Sequence, residues 1–356
     1  MTVAATPRTR FDLPPDRSAA EPPEERGLAR DGVRLLVADG QGEQHATFRD
    51  LGRFLAPGDL LVVNTSKTTA AAVDGVRATG HRVTVHFSTR LEDGSHVVEL
   101  RSQDGRARVL DGATGEVVTL PRGATLRLRA PWPQPDRPGP VRLWRADVGV
   151  EGPVAGYLRR VARPISYGYL RGRWPLASYQ TVFARDDGSA EMPSAGRPFS
   201  PELVTSLVGD GVLIAPVTLH TGVSSLEAGE TPYPEWFRVP PTTAALVPWV
   251  RGNGGRVVAV GTTVTRALES VARSDGAVEA AEGWTGLVLG PDRPARVVDG
   301  IVTGLHAPDA SHLQLLEAVA GAAVVRRAYR AAVRAGYLWH EFGDSCLLLR
   351  DRPGTA

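Results

Sequence analysis

The sequence predicts an α/β protein: a layered α/β/α main domain, discontinuous in the chain, interrupted by a small antiparallel β-barrel. Three observations predict it. Short apolar runs of strand length, such as Asp59–Val63 and Val257–Val260, share the chain with segments of helical periodicity. Residues 72–150 instead hold half a dozen short strands at close spacing, with Gly- and Asp-rich turns and no helix signal. Because α/β segments lie on both sides of that block, the barrel is expected as an insertion at 72–150, with the α/β domain made of 1–71 and 151–356.

Taken in order, the first 27 residues are polar and proline-rich without an apolar signal core. "DLLVV" is a short buried strand. In "HRVTVHFSTR" Val83, Val85 and Phe87 face one way and Thr84, His86 and Ser88 the other. "HVVEL", "ARVL", "EVVTL", "TLRLRA" and "VRLWRADV" follow as further barrel strands, separated by "EDG", "QDG" and "LDGATG". Ser200 before Pro201 marks a helix start with proline at its first position. "GRVVAVGTTVTRALESVAR" reads as strand, turn and helix, with Gly261 as breaker and Thr262 or Thr263 as cap. "ARVVDGIVTG" is extended. "DASHLQLLEAVAG" is helical with Asp309 or Ser311 as cap, "AAVVRRAYRAAVRAGY" is an amphipathic second helix, and "SCLLLR" is a final strand.

A chain of 356 residues that is 42% hydrophobic and 22% charged is ordinary for a globular protein of about two domains. No apolar run approaches the roughly 20 residues of a membrane helix. The single cysteine, Cys346, excludes an internal disulfide and fits a reducing cytoplasm, so a cytoplasmic location is expected. A net charge of +2 neither demands nor excludes nucleic acid. In 157–175, Arg159, Arg160, Arg163, Arg171 and Arg173 alternate with Tyr157, Tyr167, Tyr169 and Trp174. That pattern suits splayed bases and phosphates, or equally a solvated loop anchored by its aromatics.

Several stretches are placed to carry chemistry. Gly261-Thr262-Thr263 opens a helix at a strand end, where free N–H groups and hydroxyls welcome a carboxylate or phosphate, or simply cap the helix. His306 sits in a strand-to-helix loop with Asp299 upstream, able to shuttle a proton or to bond its own turn. His312, within the helix, is expected at a surface or interface. His340, Glu341 and Asp344 precede the last strand, again at a sheet end. Lys67 is the only lysine in a chain otherwise cationic through arginine, and a compact ammonium is poorly replaced by guanidinium. The eight histidines are scattered without metal-ligand spacing, so no metal is expected, and no Gly-x-Ser-x-Gly elbow supports a hydrolase.

In order, "FDLP", "FRDLGRFLAPGDLLVVN", "YQTVFA", "PVTLHTG", "GRVVAVGTTVTRALES", "VVDGIVTGLHAP", "LLEAVAG", "AYRAAVRAGY" and "FGDSCLL" resemble the S-adenosylmethionine:tRNA ribosyltransferase-isomerases of queuosine biosynthesis. The resemblance runs through most of the chain and implies the same fold, an α/β domain interrupted by a barrel. It implies S-adenosylmethionine as cosubstrate and tRNA as partner. The ribosyl part would pass to the aminomethyl group of a deazaguanine base and be isomerised, while adenine and methionine leave. Such chemistry needs a base beside the sulfonium, an acid for adenine and sites for anions.

Carried onto this chain, the resemblance assigns Gly261, Thr262, Thr263 and Arg266 to the cosubstrate, together with Asn64 and Lys67, the lysine contacting ribosyl oxygens or a phosphate. Tyr179, Gln180, Arg197 and His220 are expected at the substrate. His306, Asp299, Asp344 and Glu235, in that order, are the candidates for general base. The chain also departs from the family pattern. Asn64-Thr65-Ser66-Lys67 stands for Asn-Asp-Thr-Arg or Lys, and Ala195-Gly196-Arg197-Pro198-Phe199-Ser200 for Ala-Gly-Leu-His-Phe-Thr. Thr303-Gly304-Leu305-His306 retains the histidine of Thr-Asn-Phe-His, whereas Ala70-Ala71-Ala72 replaces a basic Pro-Ala-Arg and "YPEWF" leaves Glu235 as the counterpart of a Met-His-x-Glu pattern. Two other readings stay open on residues alone: a related enzyme using another acceptor, and a non-catalytic RNA- or nucleotide-binding protein.

Overall fold

A computed structural model describes residues 7–136, 139–223, 232–308 and 310–351. In chain order the strands are β1 (Arg34–Ala38), β2 (Glu43–Thr47), β3 (Leu60–Asn64), β4 (Ser66–Thr68), β5 (Ala72–Arg77), β6 (Arg82–Arg90), β7 (His96–Ser102), β8 (Val117–Thr119), β9 (Thr125–Pro131) and β10 (Leu143–Gly149). Helix α1 (Val154–Val161) follows, then β11 (Asp186–Ser189), α2 (Pro201–Gly209), β12 (Leu213–Leu219), β13 (Glu235–Val239), α3 (Pro241–Gly252), β14 (Val257–Val260) and α4 (Thr262–Ser270). The chain continues through β15 (Ala281–Thr285), β16 (Gly300–Gly304), α5 (His312–Ala320), α6 (Ala322–Arg334) and β17 (Ser345–Leu349).

Nine strands form the main sheet in the order β15-β13-β12-β3-β14-β16-β17-β1-β2. At its centre β12, β3, β14 and β16 are mutually parallel, while β13 and β17 run antiparallel to their neighbours β12 and β16. Period-two alternation covers both faces. On β1, Leu36 and Ala38 enter one core with Val264, Leu316 and Tyr329 of α4, α5 and α6, while Leu35 and Val37 enter another with Phe48, Leu203 and Leu207. Each buried aliphatic contributes about 1.5–3 kcal/mol, so both helix layers are firmly seated. The layered α/β expectation is met.

Strands β5–β10 close into a barrel in the order β10-β7-β6-β5-β8-β9, every pairing antiparallel. Its apolar interior includes Val85, Leu100, Leu126 and Trp144 and extends to Tyr157 of α1 and Ile165 beyond it. "ARVL" is not one of the barrel strands, since only an isolated bridge between Arg108 and Arg101 forms there. Glu99, 0% exposed, accepts hydrogen bonds from Arg142 Nε at 2.9 Å and Arg101 Nε at 3.0 Å. Its carboxyl is held well below the usual range: burial opposes this, but His86 and the surrounding arginines prevail. No helix among the described residues is long and apolar enough to cross a membrane.

Candidate active site

Topology decides which residues meet. The carboxyl ends of β3, β12, β14 and β16 share one edge, as ligand-binding strand ends do in open α/β sheets. Because β13 and β17 run the other way, their starting ends reach the same edge, bringing Glu235 and the His340–Glu341 turn with them. Ser88 and Thr89 of the barrel, with Tyr167 and Tyr169 of the segment after α1, close the opposite wall. Between sheet edge and barrel lies a cavity of about 370 Å³.

Gly261 makes the sharp turn from β14 into α4 with φ +99°, and a Cβ there would meet the Ala195 Cβ at 3.2 Å. Its own N–H donates to the Val302 carbonyl at 2.8 Å, extending the sheet. No threonine side chain caps the helix; Gly261 itself is the capping residue. Thr262 and Thr263 contribute first-turn N–H groups without intrahelical acceptors, and both line the cavity. Asn64 holds the turn from behind, donating to Thr263 Oγ1 at 3.2 Å and to the Leu219 carbonyl at 2.9 Å while its own oxygen accepts from the Ser66 and Leu219 N–H groups.

Arg266, one helical turn later, is a strut within the wall. It donates to the Glu235 carboxylate and to the carbonyls of Leu287, Thr285 and Tyr233, the last three at 3.2, 3.0 and 3.1 Å. Glu235 also accepts from the Gly222 N–H at 3.0 Å. Both charges are thus spent on each other and on backbone.

Three histidines and two tyrosines line the other side. The His306 and His312 rings stack with centroids 4.6 Å apart. His306 Nε2 is hydrogen-bonded to Thr303 Oγ1 at 3.0 Å, and its backbone is clamped by Tyr329 and Trp339. Burial, followed by the neighbouring His312 and His340, holds its pKa well below the ordinary imidazole value, so the ring is neutral at pH 7. His340 adopts φ +73°, a left-handed conformation uncommon outside glycine, and stacks on Tyr169 at 4.3 Å. Tyr169 stacks in turn on Tyr167 at 6.1 Å. The Tyr169 hydroxyl donates to Glu341 and the Tyr167 hydroxyl to Glu191. Burial pushes the Glu341 carboxyl up to about 7.

The structure brings His306, Glu235, Gly261, Thr262, Thr263, Arg266 and Tyr179 to this cavity. Asp299 lies at the opposite end of β16, accepting from the Val257 N–H at 2.9 Å, and has no place in it. Asp344 is taken by Arg34 and the Leu338 N–H behind the last strand. Gln180 pins the Thr68 backbone, and His220 Nδ1 bonds Ser66 Oγ at 2.7 Å beneath Trp236. Arg197 turns inward to Glu24 and the Ser178 carbonyl, over the Phe342 ring.

Lys67 points away from the cavity, because Ser66 and Thr68 on either side take the buried positions of β4; its ammonium lies 3.7 Å from Asp187. His312, expected at a surface or interface, is part of the cavity wall. Asp309 falls outside the described residues, and Ser311 makes no capping bond. Glu191 carries no signal of its own in the sequence, while Tyr167, Tyr169 and Glu341 stand in stretches placed to carry chemistry but without a role at the cosubstrate. The aromatic–arginine stretch and the "WHEF" turn were the available signals.

A layered sheet whose carboxyl edge is roofed by an inserted barrel, with imidazoles, carboxylates and a helix N-terminus around one cavity, defines an α/β enzyme with a small-molecule pocket. The family described as queuosine biosynthesis protein matches residues 7–348. The S-adenosylmethionine:tRNA ribosyltransferase-isomerase of Moorella thermoacetica is 36% identical, over 95% of this chain and 98% of that one. The enzyme of that name from Thermotoga maritima is 33% identical, again over 95% and 98%. A crystal structure of an S-adenosylmethionine tRNA ribosyltransferase from Thermotoga maritima superposes with a TM-score of 0.52 at 28% identity, covering 96% of this chain and 99% of that one. The chain belongs to the S-adenosylmethionine:tRNA ribosyltransferase-isomerase family of queuosine biosynthesis.

Proposed function

We propose that this enzyme transfers the ribosyl moiety of S-adenosylmethionine to a 7-aminomethyl-7-deazaguanine base in tRNA and isomerises it, giving epoxyqueuosine-tRNA, adenine and methionine. The observation that carries the reading is kinship with enzymes of that name over almost the whole chain. The cavity suits the cosubstrate chemically. The Thr262 and Thr263 N–H groups offer an anion site to the methionine carboxylate. His340, which lines the cavity and stacks on Tyr169 by one face only, offers its other face to adenine.

Of the sequence-based candidates for removing the proton beside the sulfonium, His306 keeps that role, since it lines the cavity as a neutral imidazole. Arg266 and Glu235 shape the wall. Arg159, Arg160, Arg171 and Arg173 are exposed on α1 and the following segment and would meet tRNA phosphates. The reaction places the enzyme with tRNA in the cytoplasm. The test is release of adenine and methionine from S-adenosylmethionine: expected only when tRNA carrying the aminomethyl-deazaguanine base is present. Release that ignores that tRNA, or none at all, sinks the reading.

A further inference from the structure

Buried carboxylates in this fold are almost all neutralised. Glu235 is paired with Arg266, Asp344 with Arg34, Asp59 with Arg256 and Glu99 with Arg101 and Arg142. Glu269 accepts from three successive N–H groups, those of Arg296, Val297 and Val298, and Glu317 from those of Arg8 and Thr9. Glu341 differs: it opens on the cavity, its side-chain partner is a phenol, and no cation lies within ion-pair distance among the described residues. A half-buried carboxyl on a cavity wall with no counter-charge is a poor structural element and a good proton carrier.

Its surroundings are built to hold it. Tyr169, which donates to it, is sandwiched between the rings of Tyr167 and His340, and Tyr167 is itself tied to Glu191. His340, the residue before Glu341, carries the left-handed backbone that turns the pair toward the cavity. The other groups facing Glu341 are the Tyr179 phenol and the Glu191 carboxylate. Arg30 and Arg197, which line the small recess behind Glu341, are occupied with the Gln180 and Ser178 carbonyls and with Glu24.

Resting on the functional reading above, we propose that Glu341 is the general acid of this cavity, giving its proton to the departing adenine, with Tyr169 as its positioning residue. The bond from the ribosyl carbon to the adenine nitrogen breaks and its electron pair leaves with adenine, which takes the Glu341 proton. The carboxylate left behind keeps the Tyr169 hydrogen bond. It is reprotonated by the proton that the aminomethyl nitrogen sheds on forming its new bond to carbon.

The experiment is single-turnover adenine release by the full chain, with precursor tRNA, across pH 5.5–9, alongside equilibrium dialysis of S-adenosylmethionine. In the wild type the rate falls as pH rises through about 7, where the acid is lost. Glu341→Gln is expected to slow release about 100-fold or more and to abolish that limb, with cosubstrate affinity within threefold of wild type. Glu341→Asp keeps the limb at a reduced rate. Tyr169→Phe moves the limb to higher pH, because the phenol's hydrogen bond favours the charged carboxylate. A Glu341→Gln enzyme as fast as wild type, with the limb intact, overturns the role given to Glu341 and leaves the functional reading standing. A wild type that releases no adenine overturns both.

Discussion

His306 and His312 lie with their rings parallel to within 2° and 4.6 Å apart in the cavity wall. Burial lowers both pKa values, that of His312 to about 4, so neither ring is charged at neutral pH. A folded-state value below the unfolded 6.5 means that the unfolded chain binds more protons between the two, and stability falls as pH drops through that window. His312 alone accounts for a loss of about 3 kcal/mol by the time pH has fallen below 4. Urea denaturation at pH 7, 5.5 and 4 checks this: the decline should be shallower in His312→Gln. An equal slope in variant and wild type contradicts the assignment.

Much of this fold is legible in the sequence because apolar periodicity reports burial directly. The strand at Val257–Val260, the break at Gly261 and the helix capped by Ser200 need only local rules. The site is less legible because it depends on strand direction. Nothing local says that β17 runs against β16, yet that alone brings the turn before it to the cavity. The same blindness made Asp299 attractive: near His306 in sequence, it lies one whole strand away in space, at the wrong end of β16. Lys67 was misplaced by one residue of pleat, since its neighbours Ser66 and Thr68 face inward.

Arg266 and Glu235 form a buried pair whose remaining donors and acceptors are satisfied by backbone. Removing Arg266 strands the Glu235 charge and three carbonyls. Arg266→Ala is therefore expected to cost about 3–5 kcal/mol, read from the denaturation midpoint at unchanged m-value. Arg266→Lys recovers only part of this, because an ammonium cannot reach all four oxygens in a planar fork. A cost below about 1 kcal/mol for the alanine variant would show that the strut carries no weight.

Gly261 combines φ +99° with a 3.2 Å approach between an added Cβ and Ala195. Gly261→Ala should lose about 1–3 kcal/mol of stability through backbone strain. It should also weaken S-adenosylmethionine binding by displacing the Thr262 and Thr263 N–H groups. Isothermal titration beside thermal melts separates the two effects. Thr263→Ala, which preserves the backbone but removes the Asn64 contact, should lower affinity less than Gly261→Ala does.

Lys67 is 45% exposed, and its partner Asp187 is 56% exposed at 3.7 Å, so the pair adds little to stability. Its outward direction leaves phosphate as the ligand an ammonium there would meet. Lys67→Met should leave the denaturation midpoint and cosubstrate affinity unchanged, while tRNA binding weakens and its logarithmic salt dependence becomes shallower by roughly 1. Filter binding at several salt concentrations reads that slope. If instead the variant loses S-adenosylmethionine and keeps tRNA, the side chain turns inward on ligand binding, and β4 must flip its pleat to do so.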